Sequence, residues 1–121
     1  MNSRTIIIFG LVALVIVGFI LITNLSMPGN YDSFAQCLTS KGAKLYGAYW
    51  CPHCLDQKKE FGNSVRFIDY VECDAKGTNG RPDLCQQEGI LGYPTWIING
   101  KKYEGSQTFG ALSQASGCPV T

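Results

Sequence analysis

The feature that most constrains this chain is a run of 19 residues without a charged side chain, from Thr5 to Thr23. A helix of that length rises about 30 Å, which matches the hydrocarbon core of a bilayer. We therefore predict a transmembrane anchor over this run, preceded by a short N-terminus (1–4) and followed by a linker (24–30). A cleaved signal peptide is the alternative, but its apolar part is normally about 7 to 15 residues long and ends at a small-x-small site, which residues 25–28 match poorly.

The charges that flank the apolar run indicate its orientation, since cationic flanks tend to stay in the cytoplasm. Arg4 precedes the run, and the next basic residue is Lys41. We therefore expect residues 1–4 to be cytoplasmic and the domain over residues 31–121 to lie outside the cytoplasm, in the periplasm or at the cell exterior. Six cysteines in that domain agree with an oxidising compartment. Apart from Arg4, Lys and Arg equal Asp and Glu at nine each, so no basic surface for nucleic acid is expected.

The domain shows alternating helix and strand signals. A strand, a helix and a strand in succession predict a parallel pair with a right-handed crossover. Asn99-Gly100 is a strong hairpin signal between the last two strands. The pattern predicts an α/β fold, a four-stranded mixed sheet flanked by helices on both faces. The expected strands are 44–50, 65–73, 95–98 and 101–105, and the expected helices are one capped by Asp32 or Ser33 and ended by Gly42, then 52–61, 81–89, and 107–116 capped by Ser106 and ended by Gly117.

Two thiols lie two residues apart in Trp50-Cys51-Pro52-His53-Cys54. Pro52 suits the first position of a helix, where a missing N–H costs nothing. The free N–H groups and the helix dipole then favour a thiolate at Cys51, and His53 adds positive charge or a hydrogen bond unless it simply faces solvent. We predict reversible thiol–disulfide exchange, with Cys51 as the nucleophile and Cys54, one turn inside the helix, as the resolving thiol.

The segment Gly92-Tyr93-Pro94-Thr95 supports this prediction. A proline where a loop meets a strand can take the cis form, which brings a backbone edge beside a catalytic sulfur. Pro94 and the Tyr93 backbone are therefore expected to hold a substrate strand beside Cys51 by β-pairing. Trp50, Pro52 and Tyr93 are candidate substrate contacts, with plain packing as the alternative for the Trp50 and Tyr93 side chains.

Four further cysteines need an interpretation. Cys73 and Cys85 enclose a loop rich in Gly and Asn and are expected to form a structural disulfide, with a second exchange-active pair as the alternative. Cys37 and Cys118 lie near the two ends of the domain and pair by elimination only. If the first and last helices lay on opposite faces, the C-terminal tail would have to wrap round, and one of these thiols would be free. The remaining alternative is a four-thiolate zinc site made by both CxxC thiols together with Cys73 and Cys85, but no metal is expected.

The YWCPHC block, the GYPT loop and the element order resemble the thioredoxin superfamily, most closely the thioredoxin-like domain associated with bacterial vitamin K epoxide reductase homologues, over roughly residues 33–118. The resemblance implies a thiol–disulfide oxidoreductase without a cofactor. The Pro-His pair resembles Dsb-type proteins, which implies disulfide donation to reduced client proteins. The implied oxidant is a membrane vitamin K epoxide reductase homologue or a Dsb-type quinone-linked oxidase.

Two alternatives remain beside that resemblance: a reductant or isomerase of the same fold, and a non-catalytic binding module. The sequence also departs from the family at one position. Thioredoxins carry a buried acid six residues before the first cysteine, and Leu45 stands there. The handling of the Cys54 proton is therefore left open.

Overall fold

The computed structural model describes residues 2–23 and 28–121 of the chain. The N-terminal helix α1 spans Ser3–Thr23. Its first 20 residues have a mean hydropathy of 3.2 and none of them is buried, so by length and composition the helix can cross a membrane. Residues 24–27 of the expected linker lie outside the described residues.

The domain is built around a four-stranded mixed sheet with strand order β2-β1-β3-β4. Strands β1 and β2 are parallel, and β3 runs antiparallel to both β1 and β4. This is the four-stranded mixed sheet that the sequence predicts. The strands are β1 (Lys44–Gly47), β2 (Tyr70–Glu72), β3 (Thr95–Ile98) and β4 (Lys101–Glu104), and the helices are α2 (Asp32–Ser40), α3 (Pro52–Phe61), α4 (Pro82–Gln87) and α5 (Phe109–Ser116), with a 3-10 turn at Gly62–Phe67.

The core lies mainly on one face of the sheet. Because side chains alternate along a strand, Leu45, Trp96 and Ile98 point to the same side, where they pack against α2, α3 and α5. Leu38 of α2 and Leu112 of α5 belong to that cluster. A smaller cluster fills the other face, where α4 covers β1 and β2. The placement of α3 on the main core face positions the CxxC thiols, which lie at its N-terminal end.

Two disulfides hold the domain together. Cys37 and Cys118 are joined with a Cα–Cα distance of 5.8 Å, and Cys73 is joined to Cys85. Because α2 and α5 pack on the same face, the C-terminal tail does not need to wrap round the sheet. The alternative that leaves Cys37 or Cys118 as a free thiol is therefore wrong in this structure.

The strand expected over residues 65–73 is shorter than predicted, because the chain first makes the 3-10 turn. The turn packs Val65 and Phe67 against the core without a sheet ladder. Ser64 stabilises the 3-10 turn, since its hydroxyl accepts from the Tyr31 N–H at 2.9 Å and donates to Asp32 at 2.8 Å. Tertiary contacts thus satisfy the apolar side chains that suggested a strand.

Several other element ends also differ from the prediction. Strand β1 ends at Gly47 rather than residue 50, because the chain turns there into α3. Neither Asp32 nor Ser33 caps α2, whose N-cap residue is Tyr31. The last helix begins at Phe109, where the hydroxyl of Thr108 accepts the Ala111 N–H at 3.1 Å and takes the capping role expected of Ser106.

Candidate active site

Cys51 is the N-cap residue of α3, with Pro52 in the first turn. Its N–H donates to the Ala48 carbonyl at 3.1 Å, which closes the tight turn between β1 and the helix. Cys51 and Cys54 are both unpaired thiols. Cys51 is 6% exposed and Cys54 is fully buried, so the first sulfur is the one that a partner can reach.

The loop before β3 faces Cys51. The Tyr93–Pro94 peptide is cis. The Cys51 thiol donates to the Tyr93 carbonyl oxygen at 3.7 Å. The Pro94 carbonyl accepts the Gly105 N–H at 2.8 Å, which ties the loop to the residue after β4. The structure thus brings together Cys51, Tyr93 and Pro94, which are distant in sequence.

The predicted contact residues form the rim of this site. Trp50 is 56% exposed, its indole N–H donates to Asp74 at 2.7 Å, and its ring meets Tyr93 edge to face. Pro52 and His53 are exposed. Within the described residues the His53 imidazole makes no hydrogen bond to Cys51, whereas its main-chain carbonyl accepts from Ser106 at 3.4 Å. Trp50 therefore packs against Tyr93 at the rim of the site, and His53 is exposed to solvent.

Cys54 lies in a setting that opposes ionisation. Burial raises the pKa of this thiol from 9.0 to about 12, and the hydrogen bond and charge of Cys51 act in the same direction. The Ala48 N–H and the positive charge of Lys58 act against the rise. A thiol must lose its proton before it attacks a disulfide, so Cys54 needs a group that accepts that proton.

Three polar residues behind Cys54 were not singled out by the sequence. The Lys58 ammonium lies 3.3 Å from the centroid of the Tyr70 ring. Burial lowers the pKa of Lys58, and it raises the pKa of Tyr70. The Tyr70 hydroxyl donates to Glu72 at 3.1 Å, and Glu72 is only 6% exposed. The available signal was a Tyr and a Glu at alternate positions of a strand, but it needs the register with β1 to be read.

Gln57 is a further residue that the sequence did not reveal. Its amide is buried, and its oxygen accepts from the Trp96 indole at 3.2 Å and the Gln107 N–H at 2.6 Å. Its NH₂ group donates to the Gln107 carbonyl and to Glu60, both at 3.1 Å. These bonds fix α3 against β3 and the chain before α5. Gln57 therefore holds the helix that carries both thiols.

The four-thiolate zinc alternative does not fit the structure, because Cys73 and Cys85 are bonded to each other. Among residues 2–23 and 28–121 no group of three or more His, Cys, Asp or Glu side chains is arranged to hold a metal ion.

Comparisons with known proteins found relatives that are named for thiol–disulfide chemistry. No protein-family model matches the chain. It is 40% identical over 89 residues to a thiol-disulfide oxidoreductase of Arabidopsis thaliana, an alignment covering 70% of this chain and 24% of the plant protein. It is 35% identical over 81 residues to protein disulfide isomerase-like 2-2 of Oryza sativa subsp. japonica, covering 55% of this chain and 20% of the relative.

One solved structure is also similar. Oxidised glutaredoxin 2 from Chlamydomonas reinhardtii aligns with a TM-score of 0.43 and 20% identity, covering 73% of this chain and 94% of that one. The chain spans about a quarter or less of the length of the two plant relatives. Over that shared part, the chain is similar to proteins named for thiol–disulfide chemistry.

Proposed function

We propose that this chain is a protein thiol–disulfide oxidoreductase that works through Cys51 and Cys54. The observation that carries the proposal is the position of the Cys51 sulfur, at the start of α3 and 3.7 Å from the Tyr93 carbonyl beside Pro94. A client strand that pairs with the Tyr93 backbone brings its own sulfur next to this nucleophile. The names of the plant relatives support the same activity.

The reaction begins with Cys51 and Cys54 joined as a disulfide. A client thiolate attacks the Cys51 sulfur, the bond between the two enzyme sulfurs breaks, and Cys54 leaves as a thiolate that takes up a proton. A second client thiolate then attacks the client sulfur of the mixed disulfide, and Cys51 leaves as a thiolate. The client gains a disulfide, the enzyme holds two reduced sulfurs, and two electrons have moved from client to enzyme.

The proposed setting is a membrane-anchored domain outside the cytoplasm, in the periplasm or at the cell exterior. The apolar helix α1 and the two disulfides of the domain support it. The proposed oxidant that restores the Cys51–Cys54 disulfide is a membrane vitamin K epoxide reductase homologue or a Dsb-type quinone-linked oxidase, because one apolar helix offers too little surface to bind a quinone. Trp50, Pro52 and Tyr93 form the rim against which the client lies.

A trapping experiment tests the activity. The full chain in detergent is reduced and mixed with a disulfide-bonded peptide. Cys54→Ala should accumulate a mixed disulfide through Cys51, because the resolving thiol is missing, whereas Cys51→Ala should trap nothing. Equal trapping by the two variants, or trapping that depends on Cys73 or Cys85, contradicts the proposal.

The direction of electron flow needs a separate measurement. The second candidate is a reductant or isomerase, which the name of the rice relative favours. Equilibration with glutathione separates the two candidates, since the reduction potential of thioredoxin is about −270 mV and that of the oxidant DsbA is about −120 mV. Donation predicts a potential toward the oxidising end. His53→Ala should make the pair more reducing if the imidazole supports the Cys51 thiolate, and an unchanged equilibrium would leave His53 as a plain surface residue.

A further inference from the structure

The register of β1 and β2 brings Glu72 and Tyr70 to the face of the sheet on which Cys54 lies. Gly47 pairs with Glu72 and Leu45 pairs with Tyr70. Paired residues of neighbouring strands point to the same side, so both β2 side chains face α3. A Cβ on Gly47 would lie 2.8 Å from the Cys54 sulfur and 3.2 Å from the Tyr70 hydroxyl oxygen. The sulfur and the hydroxyl thus converge on the space that Gly47 leaves empty.

The Tyr70 hydroxyl connects that space to a buried carboxylate. It donates to one oxygen of Glu72 at 3.1 Å, and the other oxygen accepts the Asp74 N–H at 2.9 Å. Lys58 lies over the Tyr70 ring and interacts electrostatically with both Glu72 and Cys54. The Glu72 carboxylate and the Lys58 ammonium therefore lie in one cluster behind Cys54.

Glu72 is also one of the residues that line a cavity. The cavity measures about 320 Å³ and opens along β2, which is an edge strand of the sheet. Glu72 and Tyr70 line it together with three charged side chains, Lys44, Asp69 and Arg81. The charged groups near Glu72 thus include Lys58 of α3, which interacts with it electrostatically, and Lys44, Asp69 and Arg81, which line the same cavity. Glu72 thus lies between the cluster behind Cys54 and a cavity at the edge of the sheet.

We propose that Glu72 exchanges the proton of Cys54 with solvent, with the Tyr70 hydroxyl as the intermediate carrier and Lys58 as the charge that stabilises the thiolate. This inference rests on the proposed function. When Cys54 resolves a mixed disulfide, its proton passes to the Glu72 carboxylate, the thiolate attacks the Cys51 sulfur, and the client leaves as a thiolate. When the Cys51–Cys54 disulfide is opened, the protonated Glu72 returns the proton to the departing Cys54.

The test measures the resolving step alone. The reduced full chain in detergent is mixed rapidly with a fluorescent disulfide peptide, so that capture by Cys51 and release through Cys54 appear as separate phases. Glu72→Gln should slow release about 100-fold at pH 7, the lower end of general acid–base catalysis, and leave capture unchanged. The difference in release rate between Glu72→Gln and the wild-type chain should become smaller as the pH rises, because hydroxide then takes the Cys54 proton in place of the missing carboxylate. Glu104→Gln, on the exposed strand β4, is the matched control.

Two further variants keep the test decisive if Glu72→Gln does not fold. Tyr70→Phe removes a single oxygen and keeps the ring under Lys58, and it should slow release with the same narrowing at high pH. Lys58→Met should slow release, whereas Lys59→Met, next to it and exposed, should not.

Three results overturn the inference: wild-type release in Glu72→Gln or Tyr70→Phe, a deficit that is the same at every pH, or an equal effect in Glu104→Gln. Failure of the wild-type chain to capture the peptide overturns the proposed function instead. The two failures are therefore distinguishable.

Discussion

Gly47→Ala tests how tightly Cys54 is packed. The new Cβ would lie 2.8 Å from the Cys54 sulfur and 3.2 Å from two atoms of Tyr70, so these side chains must move. Overpacking of a core typically costs about 1 to 3 kcal/mol. For a domain of this size each kcal/mol lowers the melting temperature by roughly 4 to 8 °C. The contact must lengthen by about 1 Å to reach an ordinary separation, and a displacement of that size can cost about 100-fold in rate.

The assay combines thermal unfolding of the reduced full chain with the capture and release phases. We expect a lower melting temperature, slow release and unchanged capture, because the atoms nearest to the new Cβ belong to Cys54 and Tyr70 and not to Cys51. Gly110→Ala on α5 is the control. The nearest neighbour of its Cβ would be the Thr108 hydroxyl oxygen at 3.9 Å, and alanine favours a helix, so stability should be equal or higher. Wild-type melting and wild-type release in Gly47→Ala would refute the packing of Cys54 against this strand, and with it the geometry of the Glu72 route.

Two further predictions concern stability. Gln57→Leu should lower the free energy of unfolding by about 2 to 5 kcal/mol, because it leaves the buried Trp96 indole and the Gln107 N–H unpaired. Chemical denaturation measures this loss, with Gln87→Leu as an exposed control, and a loss below about 1 kcal/mol would contradict the role of the Gln57 amide. The reduced chain should lose stability between pH 9 and about 12, because the unfolded Cys54 thiol ionises from its ordinary pKa of 9.0 while the folded thiol stays protonated up to about 12. Cys54→Ala should show a shallower decline over that range, and an identical pH profile would count against the raised pKa.

Local signals were sufficient to predict most of the fold. The hairpin at Asn99-Gly100 lies between β3 and β4, and the proline of α3 starts its helix, because both signals act through the backbone of neighbouring residues. The strand expected from residue 65 was mispredicted for the opposite reason. Val65 and Phe67 are apolar because they pack against distant helices, and a 3-10 turn achieves that packing as well as a strand does.

The same contrast between local motifs and long-range contacts applies to the candidate site. The CxxC thiols and Pro94 could be identified because each lies in a short motif with its own chemistry. Tyr70 and Glu72 could not, since their relation to Cys54 depends on which residues of β1 they pair with. Leu45 indicated that no acid stands before the first cysteine, and it is indeed a fully buried core residue. Only the strand register brings a carboxylate into that neighbourhood from β2.

The two disulfides have a consequence for how the domain matures. Six thiols can combine into three disulfides in about 15 ways, and a newly made chain contains all six. The structure holds one of the arrangements, Cys37 with Cys118 and Cys73 with Cys85, in which the CxxC thiols stay free to cycle. A non-native disulfide that includes Cys51 would leave the molecule unable to exchange disulfides. Under the proposed function, each copy must therefore form its own two structural disulfides before it can pass one to a client, so its folding depends on the same chemistry that it is proposed to supply.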